Sequence, residues 1–206
     1  MRKISAFLAV LLFTALSVAA QQKISFKKYK LPNGLKVILH RDTTVPVVAV
    51  TALYHVGSKN EKPGQRGFAH FFEHLMFEGS KNIGRGEFMN YVSNAGGKLN
   101  ANTSSDRTFY YEELPSNQLK LALWLESERM MHAKIETIGV NTQREVVKEE
   151  KRMRYDNQPY GTIFKEVSAH LFKGTPYEWT TIGTMEDLNQ AKLQDFINFY
   201  HTFYVP

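Results

Sequence analysis

The sequence contains no cysteine among its 206 residues. Disulfide bonds, thiolate metal ligands and a cysteine nucleophile are therefore excluded, as is lipid attachment to a cysteine after a signal sequence. Any metal site in this chain has to be built from histidine, aspartate or glutamate side chains.

A concentrated patch of one charge sign is also lacking. The formal net charge is +6, and Arg2 and Lys3 at the extreme N-terminus account for two of these charges. The other basic residues are scattered through runs such as "KKYK" and "KEEKRMR", with no aromatic residues interleaved in a basic stripe. This pattern does not support nucleic-acid binding.

A long hydrophobic run is confined to the first twenty residues. The basic start "MRK" is followed by "ISAFLAVLLFTALSV", which is short for a membrane span, and "VAA" before Gln21 is typical of a cleavage site. We predict that residues 1–20 are a secretory signal peptide, with an uncleaved membrane anchor as the alternative. Export without cysteine suits the bacterial periplasm, although secretion is also compatible, and no membrane segment is expected after cleavage.

The remaining chain has the composition of one folded domain, with 43% hydrophobic and 13% aromatic residues. "PNG" between the β-like runs 24–31 and 35–41 predicts a hairpin, residues 46–56 predict a third strand, and "KLNANTSSDRTFYYEEL" predicts strand, turn and strand. Helices are expected near 67–77, from a cap at Ser116, and over roughly 140–155. Strand pairs interrupted by helices predict an α+β fold.

The stretch "HFFEH" at residues 70–74 is the first candidate functional site. On a helix at about 100° per residue, Glu73 lies at about −60° and His74 at about +40° from His70, so the three side chains share one face. Two imidazoles one turn apart can bind the same cation. The alternative is a pair of hydrogen-bonded core histidines, which would bury a carboxylate with only imidazoles to neutralise it.

A third ligand is available further along, in "TQREVVKEEKRMRYD". With Gln143 at zero on a helix, Val147 falls at about +40° and Glu150 at about −20°, so Glu150 lies in the middle of an apolar face. A glutamate there needs a partner, either a metal ion or a basic residue such as Arg66 or Arg107.

The arrangement His70-x-x-Glu73-His74 with Glu150 downstream resembles the H-x-x-E-H signature of the inverzincins, the insulinase/pitrilysin-like zinc peptidases. "LPNGLKVIL", "GGKLNANTSSDRTFYY" and "QREVVKEE" also occur in the family's order, so the resemblance covers nearly all of residues 21–206. It implies a processing-peptidase-like N-terminal catalytic domain. The implied fold is a mostly antiparallel sheet of about five or six strands flanked by helices.

The resemblance also assigns roles to the candidate residues. It implies one zinc ion per chain bound by His70, His74 and Glu150, with Glu73 as the general base. Many relatives have a glutamate at the position of Gln143. This glutamine is therefore expected to support the ligands by hydrogen bonding to a histidine or to the water, without adding charge.

The substrate implied by the resemblance is an extended peptide or an unfolded chain. Such a peptide is added to an exposed sheet edge, and the strand "KLNAN" matches that element, with Asn100 and Ala101 as the expected contacts. A turn-rich hairpin without a substrate role is the alternative for this segment.

Relatives pair this domain with a similar one that closes over the substrate, so the resemblance implies a second peptidase-like domain or subunit. Three hypotheses remain open. The first is a zinc endopeptidase unit, and the second is a peptide-binding subunit or fragment without activity of its own. The third is a structural periplasmic domain in which the motif arose by chance. An intact H-x-x-E-H set favours the first, because non-catalytic partners in this family typically have broken motifs.

Overall fold

The computed structural model describes residues 24–205. The predicted signal peptide lies outside these residues. The described chain divides into two compact units, residues 24–45 and residues 46–205. Within this part of the chain, no helix has both the length and the apolar content needed to cross a bilayer.

The first unit is a β-hairpin made of β1 (Phe26–Lys30) and β2 (Lys36–His40), which pair antiparallel along their whole length. Its turn has the chemistry predicted from Asn-Gly: the Asn33 side-chain oxygen accepts the N–H of Leu35 at 3.2 Å, and Gly34 has a φ of +102°. A positive φ has little steric cost for glycine. The predicted hairpin is therefore confirmed.

The second unit contains a three-stranded antiparallel sheet. Its spatial order is β3 (Val47–Tyr54), β5 (Thr108–Pro115) and β4 (Lys98–Thr103). The α+β class with antiparallel pairing is confirmed, but the five described strands form two sheets instead of one. Pro46, which has no N–H to donate to a ladder, separates the hairpin from β3. Among the described strands, β4 lies at the edge of its sheet.

Helices fill most of the remaining second unit, and their bounds are α1 Phe68–Leu75, α2 Glu87–Asn94, α3 Leu119–His132, α4 Thr137–Lys151, α5 Ile163–Leu171, α6 Met185–Gln190 and α7 Leu193–Phe203. A π-helical turn over Arg152–Asp156 follows α4 directly. The expected cap at Ser116 is wrong. Ser116 begins a 3₁₀ turn ahead of α3, and its backbone N–H donates to the Pro46 carbonyl at 2.9 Å.

Helix α1 is held in place by its phenylalanines. Phe68, Phe71 and Phe72 are fully buried. Phe68 stacks on Phe196 of α7 with ring centroids 4.5 Å apart, and Phe72 stacks on Phe199 at 5.3 Å. Burial of each phenylalanine contributes about 1.5–3 kcal/mol. The aromatic residues around the two histidines therefore fix α1 in the core.

A buried charged cluster lies between β5 and α3. The Nε of Arg129 is 3.2 Å from Glu126 Oε1, and its guanidinium packs against the rings of Phe77, Phe88 and Tyr110. Glu112 on β5 is also fully buried, and neither of its oxygens has a hydrogen-bond partner among the described residues. Burial, followed by the nearby Glu126, raises the pKa of Glu112 to about 8.

This carboxyl makes the stability of the fold depend on pH. The pKa of Glu112 in the folded state lies above the value of about 4.3 for an exposed glutamate, so folding favours the protonated form. The contribution of protonated Glu112 to the free energy of unfolding is fully present below about pH 4.3 and is lost as the pH rises toward 8. We expect Glu112→Gln to raise the Tm at pH 8 by roughly 5 °C and to change it little at pH 5.

Thermal unfolding followed by circular dichroism at both pH values measures this effect. Glu113→Gln is the matched control, because the neighbouring Glu113 side chain is 39% exposed and pairs with Lys98. Equal Tm changes at pH 5 and pH 8 would show that Glu112 is not protonated in the folded protein.

Candidate metal centre

The start of α1 is fixed by a glycine and a buried carboxylate. Gly67, which precedes the helix, has a φ of +96°, and a Cβ there would come within 2.9 Å of the Ile182 carbonyl oxygen. Glu61 accepts the backbone N–H groups of Gly67 and Ala69, each at 2.9 Å, and Trp179 Nε1–H at 3.0 Å. Two otherwise unpaired donors of the first turn are thereby satisfied. These contacts determine where the histidines on α1 point.

The structure brings the three predicted ligands together, although they lie on two helices. One ligand atom each from His70, His74 and Glu150 lies within 4.8 Å of the other two. Glu150 Oε2 is 3.6 Å from His70 Nε2 and 3.2 Å from His74 Nε2. Tetrahedral zinc with Zn–N bonds of about 2.0–2.1 Å separates its ligand atoms by roughly 3.3 Å. The spacing of the donors therefore fits a zinc ion.

The protonation states also fit a metal site. Burial, together with the adjacent His74, lowers the pKa of His70 to about 4, so His70 is the neutral imidazole that coordinates metals. The hydrogen bond with His74 lowers the pKa of the Glu150 carboxyl, which favours its ionised form. Nitrogen and carboxylate donors in this combination are typical of catalytic zinc sites.

Arg154 is a neighbour of the site that the sequence analysis did not identify. Its Nη1 lies 3.0 Å from Glu150 Oε1, so the two oxygens of Glu150 face different partners. Of the partners considered from sequence, Arg66 pairs with Asp187 and Arg107 donates to the Asn102 side chain. The i, i+4 spacing from Glu150 to Arg154 is a signal that could have revealed this pair.

Gln143 lies on the side of α4 that faces the end of α1. Its Nε2 donates to Glu78 Oε1 at 2.5 Å, and its own Oε1 is buried with no hydrogen-bond partner among the described residues. Glu78 comes three residues after α1, which places a competing acceptor next to the glutamine. No hydrogen bond joins Gln143 to His70 or His74 in the described part of the chain, so support of the ligands by Gln143 stays a prediction.

Glu73 is next to the ligand cluster and has one strong partner. Thr103 Oγ1 donates to Glu73 Oε2 at 2.6 Å. Burial raises the pKa of Glu73, and the Thr103 hydrogen bond opposes that rise. Sequence reasoning did not identify Thr103. The alternation of inward and outward residues along "KLNANT" is the signal that places its hydroxyl on the inner face of β4.

The predicted substrate contacts, Asn100 and Ala101, lie in the middle of β4, the edge strand. Asn100 is exposed, and its Oδ1 accepts the Ala101 N–H at 2.8 Å. Ala101 is partly buried and packs on the main hydrophobic core. The same strand ends at Thr103, which contacts Glu73. The structure therefore connects the edge strand to the candidate metal centre.

Comparison with known proteins identifies peptidases as relatives of this chain. The family described as Insulinase (Peptidase family M16) matches residues 36–185. The zinc protease PqqE of Helicobacter pylori is 37% identical over 177 residues, which is 85% of this chain and 40% of that relative. The chain therefore spans less than half of the length of this relative.

Solved structures show the same fold. The crystal structure of a protease from Helicobacter pylori superposes with a TM-score of 0.87 at 35% identity, covering 90% of this chain and 45% of that one. The periplasmic protease PqqL from Escherichia coli gives a TM-score of 0.80 at 26% identity, covering 90% of this chain and 21% of that one. Together with the family match over most of the chain, these likenesses show that this protein belongs to the insulinase family of peptidases, M16.

Proposed function

We propose that this chain is the zinc-binding unit of an endopeptidase that hydrolyses peptide bonds in extended peptides or unfolded proteins. The observation that carries the proposal is the convergence of His70, His74 and Glu150 beside the partly buried carboxylate of Glu73. Membership of a peptidase family supports the same reaction.

The proposed residues have two roles, metal binding and proton transfer. His70, His74 and Glu150 would hold one zinc ion, which when bound supplies a Lewis acid and lowers the pKa of a coordinated water. Glu73 accepts a proton from the attacking water and returns it to the leaving amine. Thr103 restricts the orientation of the Glu73 carboxylate through its hydrogen bond.

The edge of β4 would bind the substrate backbone. The Ala101 N–H is held by the Asn100 side chain, and a peptide carbonyl can replace that side chain as the acceptor. Main-chain hydrogen bonds of this kind recognise extended chains with little regard to sequence. They therefore suit a peptidase that acts on unfolded segments.

Domain organisation and location complete the proposal. Residues 21–206 would form an N-terminal peptidase domain, and residues 1–20 would direct export to the periplasm, in line with the periplasmic location named for PqqL. The chain spans 40% of PqqE and 21% of PqqL, so a second peptidase-like domain or subunit is expected to complete the cleft. A peptide-binding subunit without activity is the second candidate, favoured only by this partial length.

Metal analysis combined with a peptide-cleavage assay separates the two candidates. The chain is measured alone and with a second-domain polypeptide added, at neutral pH without chelator. About one zinc per chain together with cleavage in the presence of that polypeptide supports the endopeptidase unit. A chain that purifies without zinc and remains inactive in both conditions is the binding subunit.

Replacing Thr103 tests its effect on Glu73. Thr103→Val removes a hydrogen bond that stabilises the ionised carboxylate, so the pKa of Glu73 rises further. Because the base then becomes protonated at a higher pH, the rate of hydrolysis also begins to fall at a higher pH when the solution is acidified. We expect the acid limb of the kcat/KM profile to move upward by about one pH unit. Thr103→Ser, which keeps the hydroxyl, is expected to keep the wild-type profile. An unchanged acid limb in Thr103→Val would exclude this role.

A further inference from the structure

Helix α5 differs from the other helices of the second unit because none of its faces is packed into the core. It has nine residues, and none of them is buried. Isolated helices shorter than about 12–15 residues are marginally stable in water, and most helices in proteins are stabilised by packing of an apolar face. The helix therefore needs a covering partner.

The apolar residues of α5 lie on one face. Taking Phe164 as zero at about 100° per residue, Leu171 lies at about −20°, Val167 at about −60° and Ile163 at about −100°. We define these four residues as the apolar stripe. Phe164 is 76% exposed and Leu171 is 72% exposed, whereas Lys165 and Glu166 occupy the opposite face.

The spacing of this face indicates what would cover it. Tyr160, one turn ahead of the helix, is 84% exposed. Within the helix, Phe164, Val167 and Leu171 follow one another at intervals of three and four residues, whereas Tyr160, with a φ of +62°, lies in the turn before it. Alternating intervals of this kind are typical of the seam between two helices packed side by side. The complementary partner is therefore an amphipathic helix.

We infer that the apolar stripe is the docking surface for a helix of the second peptidase-like domain, an inference that rests on the proposed function. The chain spans 40–45% of its relatives from Helicobacter pylori, so more than half of such a protein lies outside the match. The open groove beside the stripe is lined by residues that include Phe164, Tyr160 and Arg154, and Arg154 pairs with Glu150. A domain docked on this stripe would lie next to the metal centre.

A second copy of this chain is less suited to cover the apolar stripe. A helix of nine residues is only about 14 Å long, and a symmetric pair of such helices buries far less than the roughly 1,200 Å² of a stable interface. A separate domain can contact both the stripe and the adjoining groove, and so can reach the necessary area.

The test uses the part of the Helicobacter pylori zinc protease outside the match as the binding probe. Isothermal titration calorimetry gives its Kd for the wild-type chain and for Phe164→Glu/Leu171→Glu. We expect the double variant to bind at least about 100-fold more weakly, because charge is placed in the centre of the apolar contact. Lys165→Glu, on the opposite face, produces the same change in net charge and is expected to alter the Kd by less than about twofold. Circular dichroism checks that both variants remain folded.

Three outcomes would overturn the inference. The first is an equal Kd for the stripe variant and the wild type, and the second is no binding of the probe at all. The third is a wild-type dimer in sedimentation velocity that Phe164→Glu/Leu171→Glu dissociates, which would assign the stripe to a second copy. Stripe-dependent binding without peptide hydrolysis in the complex would refute only the proposed function. Peptide hydrolysis in a complex whose Kd is unchanged by the stripe substitutions would refute only this interface.

Discussion

Glu73→Gln is expected to reduce peptide hydrolysis by about 10²–10⁴-fold, the usual contribution of a general base. The amide has nearly the shape of the carboxylate but cannot accept the proton of the attacking water. Zinc content is expected to be unchanged, because Glu73 is adjacent to the ligand cluster without being one of its three members. The rate is measured with a peptide pool and the second-domain polypeptide present, and zinc by mass spectrometry.

Glu149→Gln is the matched control, because this exposed glutamate on α4 pairs only with Arg152 among the described residues. It is expected to keep the wild-type rate. Hydrolysis that persists in Glu73→Gln at the rate of this control would show that another group activates the water.

His74→Ala is expected to weaken zinc binding by more than about 100-fold. Loss of even a residue behind the ligands typically costs 10–100-fold in metal affinity, and loss of one of three ligands costs more. His74 is the better histidine to replace, because it is only half-buried whereas His70 is buried, so its loss disturbs the core less. Competition with a chromogenic chelator gives the affinity.

A second measurement on the same variant is thermal unfolding with and without zinc. A metal that binds only the folded state raises the Tm of the wild type, and this increase should vanish in His74→Ala. His170→Ala, on the exposed helix α5, is the control and should retain both the affinity and the increase. Wild-type zinc binding by His74→Ala would support the hypothesis of a chance motif.

Local rules explain which elements could be predicted. The hairpin depends on two turn residues, Asn33 and Gly34, and the strand pair of β4 and β5 depends on a short connection. The helical face shared by His70, Glu73 and His74 follows from the geometry of one helical turn. Elements defined by four or five consecutive residues are accessible to such rules, because neighbouring residues determine their geometry.

Sequence patterns around a residue do not show which of several competing partners it contacts. Ser116 has the chemistry of a helix cap, but its backbone bonds to Pro46 and the helix begins three residues later. Gln143 lies on α4, and its amide nitrogen donates to Glu78 in the structure, so its support of the zinc ligands stays a prediction. Each outcome depends on a residue 65 to 70 positions away, which sequence patterns around Ser116 or Gln143 do not contain.

The sequence by itself determined the chemistry that this protein has available. Without cysteine, a third zinc ligand beside His70 and His74 had to be a histidine, an aspartate or a glutamate, and Glu150 was the glutamate in the middle of an apolar helix face. Only the tertiary structure decided which groups surround them: Thr103 on Glu73, Arg154 on Glu150, and an edge strand beside the site. The physical reason is that residue type and helical spacing fix what a side chain can bind. Its actual partners are chosen by the packing of α1 against α4, α7 and the sheet, which depends on the whole core.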